Sequence, residues 1–157
     1  MSVVMTILAA IDVEQDPEGP ISVGYDLAEA YDERLVALYV MPEVTYQDRQ
    51  EARDELPEEV GEKEFTVDQA MDACARQVTE AIEGTLADHD RDRIDARGRV
   101  GDPATEILAA AEELDPRFVV VGGRARSPGK QAIFGSVSQS IVHEATQPVV
   151  TVMGDGE

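Results

Sequence analysis

Four stretches of this chain are apolar almost without interruption: Val3–Ile11, Leu35–Met41, Phe118–Val121 and Val149–Met153. They are rich in β-branched residues and show little alternation of apolar with polar positions. A strand with one wet face alternates. A strand that is apolar throughout is buried on both faces, which requires a sheet covered by helices above and below. A fifth stretch differs: Ile94, Ala96, Gly98 and Val100 alternate with Arg93, Asp95, Arg97 and Arg99. That is the pattern of a half-exposed strand, expected at an edge of the sheet.

The intervals between the strands carry helical periodicity. Ile21, Tyr25 and Ala28 recur from Ile21 to Tyr31, after a turn-rich loop from Val13 to Pro20. From Val67 to Leu86, Val67, Ala70, Met71, Cys74, Val78, Ala81, Ile82 and Leu86 mark one long amphipathic helix, with Cys74 and Met71 expected in the core. Asp102 suits an N-cap and Pro103 the first helical position of a helix running to about Leu114, with Ile107, Leu108, Ala111 and Leu114 inward. A last helix is expected from Ser136 to about Ala145. Glu43 to Asp68 holds ten carboxylates against three basic groups and reads as a solvated surface excursion, partly helical or mobile. His89, between Asp88 and Asp90, reads as a surface residue.

The resulting order, β-α-β-α-β-α-β-α-β, predicts an α/β fold in one domain spanning 1–157: a doubly wound, five-stranded parallel sheet of flavodoxin-like topology. In strand order 3-2-1-4-5 the winding reverses between the first and fourth strands, and ligands bind beyond the C-terminal ends of the strands at that reversal. The half-exposed third strand fits one edge. The fifth strand, apolar on both faces, is the other, and a bare edge invites pairing. The expected partner is a second copy of the chain, meeting Val149, Val150, Thr151 and Val152 strand to strand.

Charge narrows the possible ligands. The chain has 33 Asp and Glu, a formal net charge of −20 and lysine only at Lys63 and Lys130. A surface this negative argues against binding nucleic acid or an anionic membrane. Such self-repulsion is relieved by salt, so the expectation is a salt-adapted, halophilic protein. The run Val3–Ile11 is too short for a membrane span and has no basic residue before it, so the expected compartment is the cytoplasm. A lone cysteine, Cys74, excludes an internal disulfide and a cysteine-based zinc site.

Within this acidity one stretch stands apart. No carboxylate lies between Pro116 and His143, while Arg117, Arg124, Arg126 and Lys130 do. It reads as Val119-Val120-Val121, a loop with Gly122, Gly123 and Gly129, then Gly135-Ser136 opening a helix. Backbone N–H groups and the positive end of a helix dipole make such a junction a candidate anion cradle. It is not a Walker A loop: five residues separate Gly123 from Gly129, and Gln131 stands where a hydroxyl should hold magnesium. No dinucleotide fingerprint is present. Asp12-Val13-Glu14 has the wrong sign for a flavodoxin phosphate loop, and a receiver domain would need more acid after the first strand.

These residues resemble the universal stress proteins. That family carries glycine, two residues, glycine, nine residues, then glycine with serine or threonine. Here the frame is Gly122, two residues, Ala125, nine residues, Gly135-Ser136. Asp12 closing the first strand, Leu38-Tyr39-Val40 closing the second, Val100-Gly101-Asp102-Pro103 and the ending Gln147-Pro148-Val149-Val150-Thr151-Val152 also fit, so the likeness spans essentially the whole chain. The resemblance implies an adenine nucleotide alpha hydrolase-like fold that binds ATP, AMP or ADP, with Mg. It implies Ala10, Ile11, Asp12 and Val40 near adenine and ribose, Val40 through its backbone, with Gly122 against the ribose. Arg124, Ala125, Gly135, Ser136, Val137 and Ser138 would lie along the phosphates. One position departs from the pattern: Ala125 replaces its second glycine, at a cost of about 1 kcal/mol or more if that position needs a positive φ.

Two classes of function follow. One is a nucleotide-binding stress or regulatory protein with little or no hydrolysis, since no base is placed to activate Ser136. The other is a dimeric scaffold of the same fold that binds no nucleotide. An outright ATPase ranks last, lacking a base and an acidic metal pair.

Overall fold

A computed structural model of the chain describes residues 5–13, 16–55, 66–124 and 135–154. Its strands are β1 (Thr6–Ala10), β2 (Arg34–Pro42), β3 (Ile94–Gly101), β4 (Phe118–Arg124) and β5 (Val149–Gly154). Its helices are α1 (Glu18–Tyr31), α2 (Glu43–Asp54), α3 (Val67–Thr85), α4 (Pro103–Leu114) and α5 (Ser136–Glu144). The five strands form one sheet in the order β3-β2-β1-β4-β5, all pairs parallel, as the apolar runs predict.

The runs are apolar throughout because consecutive side chains feed two different cores. Ile7, Ala9, Leu35, Ala37, Tyr39, Met41 and Val120 pack with α1 and α3. Leu8, Val36, Leu38, Val40, Val119 and Val121 pack on the other face with Ile107, Ala110 and Ala111 of α4 and Ile141 of α5. Burying a Val, Leu or Ile side chain is worth about 1.5–3 kcal/mol, so these two layers dominate the stability. β3 is an edge strand, and its polar residues are tied down. Arg97 donates to Asp95, while Arg99 donates to Glu113 of α4 at 2.6 Å.

Helix starts follow local chemistry. Thr66 and Gln69 form a reciprocal capping box on α3, and Asp102 accepts the Thr105 N–H at the start of α4. α1 begins at Glu18, inside the stretch expected to be loop, and takes Pro20 into its first turn. The first amides of a helix have no intrahelical acceptor, so a proline there removes nothing. α1 and α4 both end on an aspartate in the left-handed region, Asp32 (φ 53) and Asp115 (φ 43), and Asp16 (φ 48) precedes α1.

Three further expectations change. Met71 is 36% exposed, not core, and Val67 is exposed too. α3 packs through Ala70, Cys74, Val78 and Ile82, a narrower stripe at strict intervals of four. The acidic excursion begins as a helix, α2, in keeping with its expected partial helicity, and buries Tyr46; 56–65 lies outside the described residues. His89 is half-buried against the Tyr25 ring, and β4 runs on through Gly122, Gly123 and Arg124, paired with Val152, Met153 and Gly154.

At the N-terminal ends of the strands, Glu33 is 6% exposed and accepts Nε and Nη2 of Arg117 at 2.9 and 2.6 Å. Arg93 donates to the Ala28 and Glu33 carbonyls, which closes the end of α1. These contacts, one ion pair and two bonds to carbonyls, lie at the N-terminal ends of the strands.

Candidate functional site

The reversal of winding falls at β1, which has β2 on one side and β4 on the other. β1 is held to β2 to its last residue: Ala10 pairs with Leu38, and the Ile11 N–H donates to the Leu38 carbonyl at 2.8 Å. Asp12 follows immediately and is exposed at the C-terminal end of the sheet. On the other side, β1 pairs Ile7 with Phe118 and Ala9 with Val120. Carried two residues further, that register sets Ile11 level with Gly122, so the ends of β1 and β4 flank one crevice.

Val40 lies two residues beyond Leu38 on β2, with its side chain 4% exposed in the α4 and α5 core. Only its backbone faces any site. Its neighbour across the sheet is Arg99.

Gly122 is held through its carbonyl, to which the Ser138 hydroxyl donates at 2.8 Å. A Cβ on it would only just reach contact with α1, 3.4 Å from Cγ of Pro20.

α5 opens differently from α3 and α4. Its N-cap is Gly135, which has no side chain to cap with, and the first helical bond runs from the Gln139 N–H to the Gly135 carbonyl. The N–H groups of Ser136, Val137 and Ser138 therefore receive no cap from the N-cap residue. Gly135 and Ser136 are exposed, while Val137 and Ser138 are half-buried. Amides presented in this way, at the positive end of the helix, are suited to an anion. Asp102, at the start of α4, is held below the usual carboxylate range by hydrogen bonds from the Thr105 hydroxyl and then its N–H.

The structure thus brings together Ala10, Ile11, Asp12, Gly122, Gly135, Ser136, Val137 and Ser138 around the β1, β4 and α5 ends, with the Val40 backbone on the next strand. Ala125 and the Arg124 side chain lie outside the described residues. One feature is not signalled in the sequence: the bond from Ser138 to Gly122, which joins residues distant along the chain. Among the described residues no group of three or more His, Cys, Asp and Glu side chains could hold a metal, and no helix is long and apolar enough to cross a membrane.

The family model described as the universal stress protein family matches residues 4–153. The chain belongs to the universal stress protein family. Solved universal stress proteins share its fold. One from Lactobacillus plantarum is 22% identical, with a TM-score of 0.60, covering 96% of this chain and 99% of that one. A universal stress protein in complex with cAMP is 17% identical, with a TM-score of 0.59 and coverage of 97% and 98%. One from Archaeoglobus fulgidus in complex with dAMP is 15% identical, with a TM-score of 0.56 and coverage of 96% and 99%. No curated protein sequence gives a match.

Proposed function

We propose that this universal stress protein binds an adenine nucleotide in the crevice between the ends of β1 and β4, as a stress or regulatory protein with little or no hydrolysis. The observation that carries the reading is the start of α5, whose N-cap Gly135 offers no side-chain cap, set beside Gly122 at the reversal of the winding. Solved relatives hold cAMP and dAMP, which supports an adenine nucleotide as the ligand.

The amides of Ser136, Val137 and Ser138 would take phosphate oxygens, the Val40 backbone the base, and Asp12 a ribose hydroxyl. ATP is the expected form. Magnesium would arrive on its phosphates, which suits an ion that commonly keeps its waters and few protein ligands. Little hydrolysis is expected because both histidines stand elsewhere. His143 closes the far end of α5, and His89 precedes β3 at the opposite end of the sheet. The reading also takes the protein as a cytoplasmic, salt-adapted homodimer joined along β5.

The test is to purify the protein in molar KCl, denature it and assay released adenine nucleotide, then titrate ATP, ADP and AMP calorimetrically. Bound nucleotide or a saturable heat supports the reading; neither overturns it. In that event the second reading stands, a dimeric scaffold of the same fold, which Ala125 in place of the family's glycine favours.

A further inference from the structure

Ser138 occupies the third position of α5, and its hydroxyl has one hydrogen to give. That hydrogen goes to the Gly122 carbonyl at 2.8 Å, across sixteen residues of sequence. The oxygen then keeps only lone pairs, and a phosphate oxygen approaching it would meet an acceptor. The Ser138 hydroxyl and a phosphate therefore compete for the same proton. The backbone N–H of the same residue has no such commitment to the N-cap, because Gly135 has no side chain.

We propose that the Ser138 hydroxyl is a positioning group and not a phosphate ligand. It fixes the height of the α5 amides against the end of β4, so that the amides, and not the hydroxyl, meet the phosphate. This inference rests on the nucleotide reading above. The geometry around the bond fits a fixed strut. Its acceptor residue, Gly122, is held in the sheet by its pairing with Val152 of β5. On the helix side, Ile141, one turn further along α5, is fully buried in the core that includes Val121. Both ends are anchored, so the bond sets the gap between them.

A strut and a ligand predict different affinity ladders. The α5 amides serve whichever phosphate is bound, so loss of the strut weakens AMP and ATP by the same factor. Misplacement of about 1 Å can cost a hundredfold in catalysis, and about tenfold in binding is expected here. A hydroxyl bonded directly to an outer phosphate would cost ATP affinity and spare AMP.

The experiment titrates adenosine, AMP and ATP into wild type, Ser138→Ala and Ser138→Thr, alongside hydrogen exchange of the Gln139 amide, which closes the first turn of α5 on Gly135. Three results support the strut: adenosine affinity unchanged in Ser138→Ala, an equal loss for AMP and ATP, and recovery in Ser138→Thr. A loss confined to ATP, or no loss for either nucleotide, overturns it. If the wild type binds no nucleotide, the functional reading fails by itself. The exchange then decides the strut: faster Gln139 exchange in Ser138→Ala, restored in Ser138→Thr, upholds it, and unchanged exchange overturns it.

Discussion

Gly98 of β3 lies directly beneath Cys74 of α3, so close that a Cβ on Gly98 would fall inside the contact distance of the Cys74 Cβ and of the Met71 carbonyl oxygen. The helix rests on the strand backbone itself. One of the two obstacles is backbone and cannot turn aside. Gly98→Ala is therefore expected to destabilise the protein by about 3 kcal/mol, the upper part of the range for overpacked cores. A shift of the urea midpoint to lower concentration checks it, and an unchanged midpoint would show that α3 can lift off β3 freely.

Cys74 reports on the same contact through pH. Burial pushes its thiol up, with the charge of Arg49 and a hydrogen bond at the Met41 backbone pulling partly back. The native value therefore lies above the usual 9.0, so the unfolded chain ionises first. The stabilisation is complete below pH 9.0 and declines as pH rises toward the native value. Cys74→Ala should be less stable at neutral pH yet show a shallower loss above pH 9, measured by urea unfolding across that range. In the native wild type the thiol should resist a disulfide reagent until the protein is unfolded.

Gly135 allows a clean test of the crevice. A Cβ there meets nothing within 4 Å among the described residues, and its φ of −64° suits any residue. Gly135→Val should melt with the wild type while its branches cover the α5 amides, lowering nucleotide affinity more than about tenfold, or 1.4 kcal/mol. Asp12→Ala, altering an exposed residue on the other wall, should do the same. Calorimetric titration beside a melting curve reads both, and full affinity in both variants would put the ligand elsewhere.

Salt should raise stability steeply. At a net charge of −20, repulsion within the folded chain is strongest in dilute buffer and is screened within about 3 Å at molar ionic strength. The melting temperature should climb through a KCl series up to molar concentration. A flat series would mean that the acidity is not an adaptation to salt.

The β5 edge makes a prediction about assembly. Thr151 and Met153 are exposed on it, and charge on an edge strand opposes pairing. Light scattering at high salt should show a dimer for the wild type and a monomer for Met153→Lys. A monomeric wild type at micromolar concentration would remove the edge as an interface.

Much of this fold is legible in the sequence because burial on two faces leaves no alternation. β1, β2 and the core of β4 show it, and β3 shows the converse. The Asp102 cap is legible because capping is local. What escapes the sequence depends on a partner. Gly122 and Gly123 look like loop and become strand only because Val152 and Met153 lie beside them. Met71 matches the helical period, but the strict four-residue seam of α3 leaves it outside. Of the proposed site, the glycine frame and Asp12 are expectations that come from the sequence. The role of Ser138 cannot, since a serine after Gly135-Ser136 looks like another donor until its hydrogen is seen to point at Gly122.

Three aspartates in the left-handed region, Asp16, Asp32 and Asp115, carry a consequence for how such a chain is assembled. Glycine is the residue that suits such a position, and an aspartate there gives up about 1 kcal/mol. At the ends of α1 and α4 it also adds negative charge to the negative pole of the helix dipole. Arg93 and Gln147 offset part of this by donating to Asp32 and Asp115. Even so, each position gives up local backbone fit where glycine would sit without strain. With glycine at all three, the protein should depend less on its ionic surroundings.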